Sequence, residues 1–169
     1  VEEKKICYDN IIIPNKKALV RSDNKEVLSI LSDDYQLFNN KNLMDLCIEI
    51  EKQADYRINQ FVELQGGKKV LAFLENDQIQ KINKVPIREF LVIGNSFDGS
   101  SSLFVGYNSH MIRCENQFTE SKRIFNSKHL KSKMNHKLDL KNLIYHFQEQ
   151  KKETLNKFHR MRRVKITNY

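Results

Sequence analysis

Between Leu91 and Phe118 the chain reads LVIGNSFDGSSSLFVGYNSHMIRCENQF, and this stretch constrains the fold more than any other. The runs Leu91-Val92-Ile93 and Leu103-Phe104-Val105 are of strand-forming types, and Asp98-Gly99-Ser100 lies between them. Two such runs split by an Asp-Gly turn predict a hairpin. The segment from His110 to Asn116 predicts a further strand. Directly after it the charge changes. Residues 1–115 carry 15 Lys/Arg against 17 Asp/Glu, whereas residues 116–169 carry 14 against 4. The last third therefore holds an excess of +10, more than the whole net charge of +8. A β-rich core with one helix over 1–118, then a basic helical tail over 119–169, is the expected organisation of one domain.

Other hairpin signals precede this one. Ala18-Leu19-Val20 and Val27 to Leu31 flank Ser22-Asp23-Asn24-Lys25, a strong turn sequence. Arg57 to Leu64 and Lys69 to Leu74 flank Gln65-Gly66-Gly67-Lys68. Between these hairpins, Asn39 or Asn40 caps a helix running to Asp55, with Leu43, Leu46 or Cys47, and Ile50 on one face. Asp77 to Lys84 fits no single element. Arg88 to Asn95 and Ser102 to Tyr107 read as strands. From Thr119 the pattern reads as helical, and Asp139 to Arg163 is its clearest helix. There Leu140, Leu143 or Ile144, Phe147, Thr154, Phe158 and Met161 form an apolar stripe, with Lys141, Lys151, Lys152, Lys157, Arg160 and Arg162 around it. The class is α+β, mainly antiparallel, with basic helices at the C-terminus.

At 169 residues the chain buries a core without disulfides or metal. Cys7, Cys47 and Cys114 are odd in number and lack C-x-x-C spacing, which predicts buried free thiols in a reducing compartment. Ile11-Ile12-Ile13 is too short for a membrane span or a signal-peptide core, so the cytoplasm is the expected location. The chain opens on Val1, as expected of a trimmed or partial product.

Most catalytic patterns are missing. Gly66-Gly67-Lys68-Lys69 lacks phosphate-loop spacing, and Ser100, Ser101 and Ser102 lie in no G-x-S-x-G elbow. No cofactor, metal or catalytic residue is expected. The histidines His110, His129, His136, His146 and His159 form no i, i+4 pair. A metal-dependent nuclease built on Asp98, Glu120 and Lys122 is the best enzymatic alternative, since paired acids near a lysine suit phosphate cleavage. Asp98, Arg113, Glu115 and Asn116 form a candidate polar site cluster whose residues cap turns as readily as they bind ligands.

Nucleic-acid binding has wider support. Lys122, Arg123, Lys128, Lys131 and Lys133 form one dense cluster, and Lys157, Arg160, Arg162, Arg163 and Lys165 form another. Cations beside phosphates release condensed counterions and bind without sequence preference. Among the interleaved aromatics, Phe158 belongs to the apolar stripe, which leaves Phe125 and Tyr169 as candidates to stack on unpaired bases. The expected partner is nucleic acid, single-stranded DNA in particular, held by the tail. An acidic protein partner, as for a modulator of host defence, is the alternative. Oligomeric state stays open.

Two segments resemble the uncharacterised phage/plasmid-like protein family. Ala18 to Asn40 is similar to its opening signature: an arginine–Ser/Thr–Asp turn at Arg21-Ser22-Asp23, then Tyr35 and Asn40 before a helix. Phe97 to Leu103, with Cys114-Glu115-Asn116, is similar to its Asp-Gly-Ser and Cys-x-Asn signature, and His129 matches a histidine opening its helical tail. The chain departs at Met111, where the family carries arginine, and at Gln117, where threonine is usual. The resemblance implies a mobile-element setting. A more distant fold analogy is to single-strand annealing proteins.

Overall fold

The structure is a computed structural model describing residues 1–82, 84–111, 118–129 and 140–163. Strands β1 (Glu2–Tyr8), β2 (Ile11–Val20) and β3 (Val27–Ser32) form a three-stranded antiparallel sheet in that order. The β1–β2 hairpin was not anticipated. It turns on Asp9 and Asn10, both at positive φ (47° and 65°), as a two-residue primed turn requires. Helix α1 (Asn40–Gln53) follows. Asn39 caps it reciprocally: its side chain accepts from the Asn42 amide at 2.9 Å, and the Asn42 side chain accepts from its amide at 3.2 Å.

The second sheet has six strands. Strands β4 (Tyr56–Leu64), β5 (Lys69–Asn76), β7 (Val85–Ser96), β8 (Leu103–Met111) and β9 (Phe118–Ser127) are ordered β4-β5-β7-β8-β9, and short β6 (Gln80–Ile82) pairs with β7. All its pairings are antiparallel. The architecture is α+β, with hairpins at the expected Gly66-Gly67 and Asp98-Gly99 turns; all three of Gln65, Gly66 and Gly67 adopt positive φ. Helix α2 (Leu140–Arg163) closes the described chain.

Two expectations fail. The stretch from Thr119 is not helical at its start. Phe118, Thr119, Ile124 and Phe125 are β-forming types that complete the edge of β8, and the local charge masked that pattern. Cys7 is exposed rather than buried, whereas Cys47 is buried and its thiol is pushed up to about 12 by burial. His110 and Met111 extend β8, while the rest of the strand expected there, Cys114 included, lies outside the described residues.

One face of the large sheet carries the core. Val70, Ala72, Leu74, Leu91, Ile93, Val105 and Tyr107 pack against Leu43, Leu46, Cys47 and Ile50 of α1 and against Leu143 and Phe147 of α2. Leu19 and Leu28 bring the small sheet into the same core. Arg21 joins the sheets at the surface, bonding Glu63 and the Gly66 carbonyl across the β4–β5 turn. Both helices lie on this inner face, so among the described residues no helix covers the opposite, open face. No helix among the described residues is long and apolar enough to cross a membrane.

Candidate functional site

The open face of the large sheet carries an apolar, aromatic surface. Strand alternation sends Val62, Leu71, Phe73, Phe90, Val92 and Phe104 to it, all half-buried. Register sets them in rows. Phe73 pairs with Val92, Val92 with Gly106, and Gly106 with Arg123. In the adjacent row Leu71 pairs with Gly94 and Gly94 with Phe104. The Phe104 ring lies against Gly94, where a Cβ would stand only 2.1 Å from it. The Arg123 guanidinium sits 4.4 Å from the centroid of that ring. A groove of about 240 Å³ runs beside them between Val92, Gly106, Asn108 and Lys122.

The expected cationic clusters are redistributed. Lys122 and Arg123 are neighbours on a strand, so they face opposite ways. Lys122 turns to the helix side and pairs with Glu153 of α2 at 3.2 Å. Lys157 reaches the same carboxylate at 3.9 Å. Arg160 is exposed on α2, and Lys128 is exposed just beyond β9. Arg162 and Arg163 end α2, and Lys131, Lys133 and Lys165 lie outside the described residues. Phe125 is half-buried on the core side of β9 and Phe158 is buried; Tyr169 is outside the described residues.

The β7–β8 turn forms a second polar centre. Asp98 accepts from the Ser100 amide at 2.9 Å and so caps its own turn, with Gly99 at φ 71°. Burial resists ionisation there, but the Ser100 hydroxyl and amide, Lys69 and Ser96 outweigh it and hold the carboxyl below its usual range. Arg113, Glu115 and Asn116 of the candidate cluster lie outside the described residues. Glu120 does not join Asp98: it pairs with Ser109, six residues along β8 from the strand's turn end, or about 20 Å at strand spacing. The Asp98–Glu120–Lys122 arrangement expected of a nuclease is therefore not assembled.

Residues from three separate segments do meet at this turn. A cavity of about 430 Å³ is lined by Tyr35, the Gly99–Ser102 turn, Lys128 and His129. His129 stacks on Tyr35 with centroids 4.9 Å apart and planes 22° apart. The Tyr35 hydroxyl donates to the Ser96 carbonyl at 2.6 Å.

A third feature escaped sequence reasoning. Glu89 is fully enclosed in the core, where Tyr107 donates to it at 2.7 Å, Asn76 at 3.2 Å and Lys151 at 2.8 Å. A cavity of about 400 Å³ between the end of α1 and α2 touches Tyr56, Asn76, Phe147 and Lys151 of this network. Lys151 thus belongs to the interior, not to a solvated basic face. The available signal is one of phase: Glu89 falls at the same alternate positions as Ile87, Leu91 and Ile93, all core residues.

A family model described as a domain of unknown function, DUF932, matches residues 27–169. The match takes in every element from β3 to α2. No curated protein and no solved structure matches the chain.

Proposed function

Because the chain belongs to DUF932, a family described only as a domain of unknown function, we propose its function from its own surfaces. It is a non-enzymatic protein that holds single-stranded nucleic acid, single-stranded DNA foremost, across the open face of its large sheet. One observation carries this reading: Arg123 stacked 4.4 Å over Phe104, on a sheet face that no described helix covers. Unstacked bases need flat apolar partners, and a guanidinium beside an aromatic ring serves both a base and its phosphate. Phe73 and Val92 extend the platform along the next row, and Gly94 and Gly106 keep its floor low. The binding surface thus shifts from the C-terminal tail to the sheet, with exposed Lys128 just beyond β9 adding sequence-independent attraction. The likeness of the Arg21–Asp23 and Asp98–Ser100 segments to a phage/plasmid-like family favours a mobile-element protein acting in a host cytoplasm, with strand annealing as a compatible role.

Fluorescence anisotropy with a labelled oligonucleotide over a salt series tests the reading. Affinity is expected to fall steadily with salt and to favour a single strand over the matching duplex. No binding at low salt overturns it, as does capture of an acidic host protein that persists after nuclease treatment and displaces the oligonucleotide.

A further inference from the structure

We propose that the cavity under the β7–β8 turn is a nucleotide site, binding a sugar–phosphate unit between His129 and Lys128. His129 is 5% exposed, and its two ring nitrogens differ. Nδ1 lies 3.2 Å from the Gln36 carbonyl, which can only accept, so Nδ1 carries the proton. The Gln36 amide donates back to the His129 carbonyl at 3.1 Å, fixing the segment. Nε2 is therefore a bare acceptor, and it is buried with no partner. A buried unpaired acceptor costs about 1–3 kcal/mol, so a donor brought within reach of Nε2 at the wall of this cavity would be favoured.

The rest of the lining narrows the chemistry. The Ser101 hydroxyl donates to the Ser102 carbonyl at 3.2 Å, and the Ser102 hydroxyl donates to Asn126, so both serine oxygens keep only acceptor capacity toward the cavity. Lys128 is exposed and pairs with no carboxylate among the described residues. The site therefore suits a molecule that offers hydroxyl donors on one side and an anionic group on the other. A hydroxylated phosphate ester meets both needs, and the volume of about 430 Å³ falls in the range of small-ligand sites. The choice of a nucleotide among such esters rests on the nucleic-acid reading above. It arrives either free or as the terminal unit of a strand.

Imidazole nitrogen resonances of histidine-labelled protein distinguish these cases. The probes are deoxyadenosine 5′-monophosphate and one oligonucleotide with and without a 5′-phosphate. The His129 Nε2 resonance is expected to move saturably with nucleotide. Lys128→Ala weakens the response about tenfold, as loss of a charge-assisted bond does. His129→Phe keeps a ring on Tyr35 and abolishes the saturation-transfer signal of the free nucleotide, a readout that needs no His129 resonance. Movement with the free nucleotide assigns a free-ligand site, and movement only with the phosphorylated strand assigns a strand-end site. Resonances that stay fixed with every probe, while anisotropy still reports strand binding, overturn the pocket alone. A nucleotide response without any strand binding overturns the strand-holding function and leaves the pocket standing.

Discussion

Lys151 Nζ lies 2.8 Å from Glu89 Oε2, and the carboxylate it meets is wholly enclosed. The pair pins α2 to β7 across the core. Removing the cation leaves a buried charge without its counter-ion, which typically costs about 3–5 kcal/mol. Lys151→Met is therefore expected to lower the denaturant midpoint sharply. Adding Glu89→Gln, which removes the buried charge, keeps the shape and can still accept from Tyr107, should recover much of the loss. Urea melts of the wild type and both variants check this; a double variant no more stable than the single one contradicts it.

Neighbouring cations on β9 should behave differently. Arg123 sits on the open face over Phe104, whereas Lys122 is spent on Glu153 on the helix side. Arg123→Ala is expected to weaken oligonucleotide binding about tenfold, in keeping with the loss of one stacked contact. Lys122→Ala should change it less than threefold, since exposed ion pairs contribute little. Anisotropy titrations at one fixed salt concentration compare the two, and equal losses would return the binding surface to the helix side.

How far the sequence could be read depends on whether a feature is local. The Asn39 cap, the Gly66-Gly67 turn and the Asp98-Gly99 turn are legible because each acts within a few residues. Lys122 and Arg123 read as one cluster because a dense run of charge looks alike on a helix and on a strand, while only the strand splits it between two faces. Glu89 gave no local sign of its partner, since Lys151 reaches it only once α2 is docked. The Tyr35–His129 stack joins residues far apart in the chain, and nothing in either neighbourhood announces it.

The flatness of the open face depends on Gly94. A methyl group there would stand 2.1 Å from the Phe104 ring, so the ring must swing away. Because a side chain rather than backbone gives way, Gly94→Ala should cost no more than the usual about 1–3 kcal/mol of overpacking. Its larger effect falls on binding, because Arg123 loses the ring it stacks on. The variant is expected to melt cooperatively while losing most single-strand affinity. Retained affinity with a displaced Phe104, seen in aromatic NMR contacts, would remove Phe104 from the binding surface.

His129 makes stability depend on pH. Burial lowers its pKa below 6.5, and the bond to Gln36 offsets this only partly. The folded chain therefore holds the ring neutral at a pH where the unfolded chain has begun to protonate it. Between the depressed folded pKa and 6.5 the unfolded state binds more protons, so stability rises with pH. The contribution is complete above 6.5 and is lost as pH falls below it. One such proton changes the unfolding free energy by at most about 1.4 kcal/mol per pH unit. His129→Phe, which retains the stack on Tyr35, should flatten this part of the profile relative to the wild type. Urea unfolding at a series of pH values on both sides of 6.5 measures the difference, and parallel profiles would mean that His129 is solvated rather than held against Tyr35 and Gln36.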